Sequence, residues 1–198
     1  MENIAGKKRN TVIAIVAIIS LISLVFQALP ETAHIELRYD RNQPTQVWRF
    51  VTGQLLHLGW VHLLFNLAGL VLITALFFPE WSARSFLYAF ITSGIFLNIC
   101  LYLFSPELTW YVGLSGILHG LIAAGAVYSY QVQAKFALIV LIGCVIKIAW
   151  EQITGSSVGT EELIGGKVAF DAHMFGFIGG LIGAALFRAT VLRKQKSQ

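Results

Sequence analysis

The sequence predicts an all-α polytopic membrane protein, a single domain over residues 1–198 built as a bundle of six transmembrane helices. Three observations predict it. Hydrophobic residues make up 57% of the 198 residues and charged ones only 12%, a balance outside that of soluble domains. Six apolar runs alternate with short stretches carrying Pro, Gly or charge, and such runs are read as membrane spans. The basic residues fall in alternate loops, which is how a membrane topology is written into a sequence.

The first run, 11–29, follows Lys7, Lys8 and Arg9 and stops at Pro30. No small-residue cleavage site intervenes, so the run reads as a retained span rather than a signal peptide. Residues 31–47 are polar. Residues 48–58 interleave Trp48, Phe50, Val51, Leu55 and Leu56 with Arg49, Gln54 and His57, an amphipathic segment suited to the outer interface. Gly59 opens the second span, 59–78, and Pro79, Glu80, Trp81 and Arg84 form a short loop. The third span is 85–104. Ser105-Pro106-Glu107 then turns the chain toward Gly-Leu-Ser-Gly-Ile-Leu-His-Gly at 113–120, where the fourth span, 115–131, begins. The fifth covers 136–151. A loop with Gly155, Gly159, Gly165 and Gly166 leads to the sixth, 172–187, which ends in Arg188, Arg193, Lys194 and Lys196.

Six spans return both termini to one side. Lys7, Lys8, Arg9, Arg84, Lys135, Arg188, Arg193, Lys194 and Lys196 share that side, which the positive-inside rule makes the cytoplasm. Glu31, Glu36, Asp40, Glu107, Glu161, Glu162 and Asp171 lie opposite. The net charge of +4 is therefore a topology signal, and no nucleic-acid partner is expected. Cys100 and Cys144 both fall in apolar runs, so neither a disulfide nor a metal site is expected of them.

Depth brings the polar residues to one level. With a slab of roughly 30 Å and a rise of about 1.5 Å per residue, His62 and Asn66 lie roughly 5 and 10 Å below the outer surface. They are four residues apart and so share a helix face. The fourth span, counted back from Gln131, covers only about 25 Å, which leaves Ser115 about one turn under the surface. His173, counted back from Arg188, lies roughly 8 Å deep. Polar groups in lipid are costly unless they pair or reach water, so four at one depth on three helices should meet. Gly116, Gly120 and Ala124 recur every four residues on the fourth span, as do Gly176, Gly180 and Ala184 on the sixth. Small-xxx-small ridges let helix backbones approach closely. The expectation is that these two helices pack along their ridges and carry Ser115 to His173.

Ser115 within Gly-x-Ser-Gly, His173 within Ala-His-x-x-x-Gly-x-x-x-Gly, and His62-x-x-x-Asn66 preceded by His57 resemble the rhomboid intramembrane serine proteases over all six spans. His119 stands four residues after the serine, where many rhomboids carry a tyrosine packed on the catalytic histidine, and the Gly-Leu-Ser-Gly-Ile-Leu-His-Gly form is similar to the rhombosortase branch. That resemblance implies a protease of the bacterial inner membrane with its site facing the periplasm. It implies as partner the transmembrane tail of exported proteins, a GlyGly-CTERM tail of Gly-Gly, one apolar helix and a basic end.

The chemistry asks for a nucleophile, a base and oxyanion donors. Ser115 is the expected nucleophile and His173 the base, acting as a dyad, because Asp171 is two residues from His173 on a helix and points elsewhere. His62, Asn66 and the Ser115 N–H are the expected oxyanion hole, helped by the helix start. Gly113 and His119 are expected to bind substrate or orient the base. His57 reads as an anchor of the interfacial segment. Lys147 and Glu151 read as an i,i+4 pair partly snorkelling to the outer surface, with a polar wall at the substrate entrance as the alternative. The loop 153–166 is expected to cap the site.

Other classes fit less well. The serine motif is not a Gly-x-Ser-x-Gly elbow, and no strand precedes it. A haem or metal protein would need histidines at matched depth with carboxylate or thiolate company, and none is apparent; no cofactor is expected. A transporter would show repeats and broken helices at mid-membrane. A non-cleaving rhomboid-like binder would be expected to lack the serine or the histidine.

Overall fold

The computed structural model describes residues 2–156 and 159–196, with side chains for 9–156 and 159–193. The side chains of Lys7, Lys8, Lys194 and Lys196 and residues 157 and 158 of the expected cap therefore lie outside the described set. The elements in order are α1 (Glu2–Gln27), α2 (Glu31–Leu37), β1 (Tyr39–Asp40), α3 (Arg49–Leu55), α4 (Trp60–Leu76), α5 (Ala83–Phe104), β2 (Trp110–Tyr111), α6 (Ser115–Ser129), α7 (Ala134–Thr154), α8 (Thr160–Ile164) and α9 (Phe170–Lys196). This is a helical membrane bundle.

Local chemistry fixes several boundaries. Pro30, which cannot continue α1, precedes α2. Ser82 accepts from the Ser85 N–H while the Ser85 hydroxyl accepts from the Ser82 N–H, a reciprocal cap that starts α5. Gly155 ends α7 in the left-handed conformation (φ 61°) and donates its N–H to the Glu151 carbonyl. The amphipathic segment expected at 48–58 contains α3, which meets α4 at 91°. Exposed Ile18, Leu64, Leu72, Ile139 and Ile146 surround the bundle with an apolar surface suited to lipid.

Among the described residues, α1, α5, α7 and α9 are each long and apolar enough to cross a membrane, and α3 with α4 adds a fifth when the bent pair is taken as one span. α6 is too short. Its 15 residues reach about 22 Å at 1.5 Å per residue, and the non-helical segment 110–114 leads into it. Non-helical backbone at that depth needs partners. It finds them in the antiparallel pairing of β2 with β1, Tyr39 opposite Tyr111 and Asp40 opposite Trp110. The Gly113 N–H also donates to the Gly53 carbonyl at 3.0 Å. Neither the ribbon nor α2 and α8 is apparent in the sequence, since two-residue strands and five- to seven-residue helices leave no periodic trace.

α6 is buried on nearly every side and packs against α9 through glycine. A Cβ on Gly116 would stand 2.7 Å from the Ala172 carbonyl oxygen, and one on Gly120 would stand 2.5 Å from that of Gly176. A Cβ on Gly176 or Gly180 would overlap the carbonyls of Gly116 and Gly120. Ala124 and Ala184 continue the seam, fully buried. The ridge positions do meet, as the four-residue spacing requires. A third helix joins them, because α9 turns Gly179 toward the backbone of Ser93 on α5.

Candidate active site

Four helices deliver side chains to one end of this seam. Ser115 is the first residue of α6, and the backbone before it is set by Gly113 at φ 125°, a conformation closed to L side chains. A Cβ at Gly113 would also meet the His62 ring at 2.8 Å. The Tyr111 hydroxyl donates to the Gly113 carbonyl at 2.6 Å. Gly113 thus sets the backbone that leads into Ser115.

His173 lies in the first turn of α9, and its Nε2 is 3.0 Å from the Ser115 hydroxyl oxygen. The two side chains expected to meet are in hydrogen-bond contact. Asp171 points elsewhere, its carboxylate accepting from the Ser105 hydroxyl.

No acid was expected beside His173, and the structure places Glu151 there. This residue, only 2% exposed in the last full turn of α7, places Oε2 2.9 Å from His173 Nδ1. Its other oxygen takes the Lys147 ammonium at 2.6 Å. α7 is held at this register by Cys144 and Ile148 packing on Ala123 of α6 and Phe177 of α9. The sequence signal was present but satisfied locally. An i,i+4 lysine accounts for one carboxylate oxygen, and the spare oxygen of a glutamate inside an apolar run pointed to a second partner.

His119, one turn below Ser115, lies nearly parallel to His173 with ring centroids 4.2 Å apart. Its Nδ1 is 2.7 Å from the Ser115 carbonyl oxygen, and its Nε2 is 3.1 Å from Lys147 Nζ. His119, Glu151 and His173 offer ligand atoms within 4.8 Å of one another, so a carboxylate does accompany the histidines. Two of those three donors already face the lysine ammonium, which supplies the positive charge this grouping would ask of a metal.

On α4, His62 Nδ1 accepts from the Leu58 N–H at 3.3 Å, which leaves the Nε2 hydrogen free to donate. Asn66 gives one amide hydrogen to the His62 carbonyl at 3.0 Å. Beyond them His57 packs edge-on against His62, centroids 5.0 Å apart.

A cavity of about 840 Å³ opens over these groups, lined by His62, Asn66, Ser115, His119, Glu151 and His173. Ile164 of α8 with Gly165 and Gly166 forms its outer wall, so part of the loop expected as a cap does border the site. A smaller cleft of about 370 Å³ continues along Ile73, His119, Val140 and Lys147.

A Rhomboid domain profile matches residues 44–190. The chain belongs to the rhomboid family. This rhomboid is 28% identical over 145 residues to YdcA of Bacillus subtilis, described as a candidate rhomboid protease, covering 68% of this chain and 64% of that protein. It is 30% identical over 146 residues to Rhomboid-like protease 5 of Toxoplasma gondii, covering 73% of this chain and 17% of that one. The chain spans less than two thirds of either relative. The matched region carries every residue assembled above from α4 to α9.

Proposed function

We propose that this rhomboid is an intramembrane serine endopeptidase. The observation that carries the reading is the 3.0 Å contact between the Ser115 hydroxyl and His173 Nε2 inside a membrane helix bundle. Ser115 attacks the scissile carbonyl as His173 takes its proton. His173 then returns the proton to the leaving amine, and the acyl-enzyme is resolved by water or by an amine acceptor. The oxyanion is met by the His62 Nε2 hydrogen, by Asn66 and by the Ser115 N–H, which has no partner within its own helix. Replacing His62 with alanine should lower kcat about 10² to 10³-fold with a smaller change in KM, as loss of one oxyanion donor does. A kcat within threefold of wild type would leave His62 a helix linker only.

The substrate we propose is the GlyGly-CTERM tail of exported proteins, as in rhombosortases. His119 in place of a tyrosine, stacked on His173, supports that branch. A peptide must be extended to reach Ser115, and a Gly-Gly pair unwinds easily, since each glycine weakens a helix by about 1 kcal/mol relative to alanine. On this reading the chain sits in the bacterial inner membrane with both termini cytoplasmic and the cavity facing the periplasm. Arg9, Arg84, Lys135 and Arg188 at the end of the bundle away from Ser115 support that orientation.

Purified protein in proteoliposomes is expected to cut a Gly-Gly-tailed substrate and spare an unrelated transmembrane helix, with Ser115→Ala as control. Equal cutting of both would indicate a general rhomboid peptidase. Binding of the tail by wild type without any cutting would sink the peptidase reading. The mass of the released product distinguishes hydrolysis from transfer to an amine.

A further inference from the structure

We propose that Glu151 and Lys147 are positioning residues of the peptidase, making its machinery a Ser–His–Glu triad held by a lysine. The inference rests on the endopeptidase reading and assigns two residues that this reading does not require.

The hydrogen-bond partners fix where each proton sits. The Ser115 carbonyl can only accept, so His119 carries its hydrogen on Nδ1, and its Nε2 is left bare. An ammonium can only donate, and Lys147 does so to that bare nitrogen and to Glu151 Oε1. The remaining carboxylate oxygen can only accept, so His173 carries its hydrogen on Nδ1. Its Nε2 is thereby bare and faces the Ser115 hydroxyl, the one arrangement in which the imidazole can act as base. Five side chains and the Ser115 carbonyl close a ring that returns from His119 to Ser115.

An ordinary surface pair does not look like this. Exposed i,i+4 ion pairs leave both charges near water and contribute little. Here the carboxylate side chain is 3% exposed while the lysine keeps 49%, so the lysine reaches in to a carboxylate turned toward the base. A buried carboxylate needs a counter-charge. Lys147 provides it, and by also bonding His119 it fixes the ring stacked on His173. When His173 takes the serine proton, Glu151 is already in place to stabilise the imidazolium, as the acid does in triads generally.

The test combines kinetics with a tautomer readout. In wild type labelled with ¹⁵N-histidine in micelles, His173, assigned by comparison with His173→Ala, is expected to show a hydrogen on Nδ1 in a strong hydrogen bond. Glu151→Gln should lose that signature and lower kcat by up to about 10⁴-fold with KM little changed, the size of loss seen when a triad acid is neutralised. Glu151→Asp should recover part of the rate, and Lys147→Met should fall between wild type and Glu151→Gln. An active wild type whose His173 carries its hydrogen on Nε2, or a folded Glu151→Gln within threefold of wild-type kcat, overturns the proposal. Should Glu151→Gln fail to fold, the wild-type tautomer decides alone. A wild type that neither cuts a transmembrane substrate nor is labelled at Ser115 by a fluorophosphonate is a failure of the peptidase reading instead.

Discussion

Ser115→Ala is expected to abolish cleavage, lowering kcat by about 10⁴ to 10⁶-fold, because nucleophile and base act as one unit. The alanine removes the atom that forms the acyl-enzyme and leaves His173 with no proton to take. The packing around it is nearly unchanged, since the hydroxyl is bonded to His173 and not to the helix seam. His173→Ala should lose a similar factor, and the double variant little more than either alone, the non-additivity that marks a shared step. Activity and fluorophosphonate labelling on the same purified samples check this. A Ser115→Ala protein keeping even one per cent of wild-type cleavage would mean that another residue is the nucleophile.

Gly176→Val should prevent the native bundle from forming, or destabilise it by more than about 3 kcal/mol, beyond the ordinary range for overpacking. The added Cβ would overlap the Gly116 carbonyl and crowd its Cα, which stands 3.0 Å away. Backbone cannot yield as a flexible side chain does, so α6 and α9 would have to separate, taking Ser115 from His173. Gly143 on α7 supplies the contrast, since nothing lies within 4 Å of a Cβ there. Gly143→Ala should melt at or slightly above wild type, because alanine favours helix by about 1 kcal/mol. Thermal melting in detergent reads both. A Gly176→Val protein melting with wild type would show that the seam is not closed as the structure has it.

Much of the candidate site is legible in the sequence, and for a single reason. The bilayer gives each residue of a span a depth, and at matched depth hydroxyl, imidazole and amide groups on different helices have few partners but each other. The glycine spacing then named the two faces that had to touch, and Ser115 with His173 followed. The substitution of histidine at 119 was visible too, but not its role, because an imidazole in a helix can stack, donate or accept with no change in the sequence around it.

The acid was not legible. Lys147 and Glu151 satisfy a local rule at i,i+4 spacing, and a pair that is locally explained does not say which group its spare carboxylate oxygen meets. The direction of a carboxylate depends on how α7 is rotated and how high it stands against α9, which is decided by Ile148, Phe177 and their neighbours packing together. The β1–β2 ribbon belongs to the same class, since two residues pair only when distant segments have already been brought within reach.

By itself the sequence determined the helical membrane bundle, the depth of its polar residues and the seam on which hydroxyl meets imidazole, because span length, charge placement and glycine spacing act one helix at a time. Tertiary structure alone decided that Glu151 stands behind His173 with Lys147 beside it. That arrangement is a relation between helix rotations, and no periodicity within a single helix encodes it.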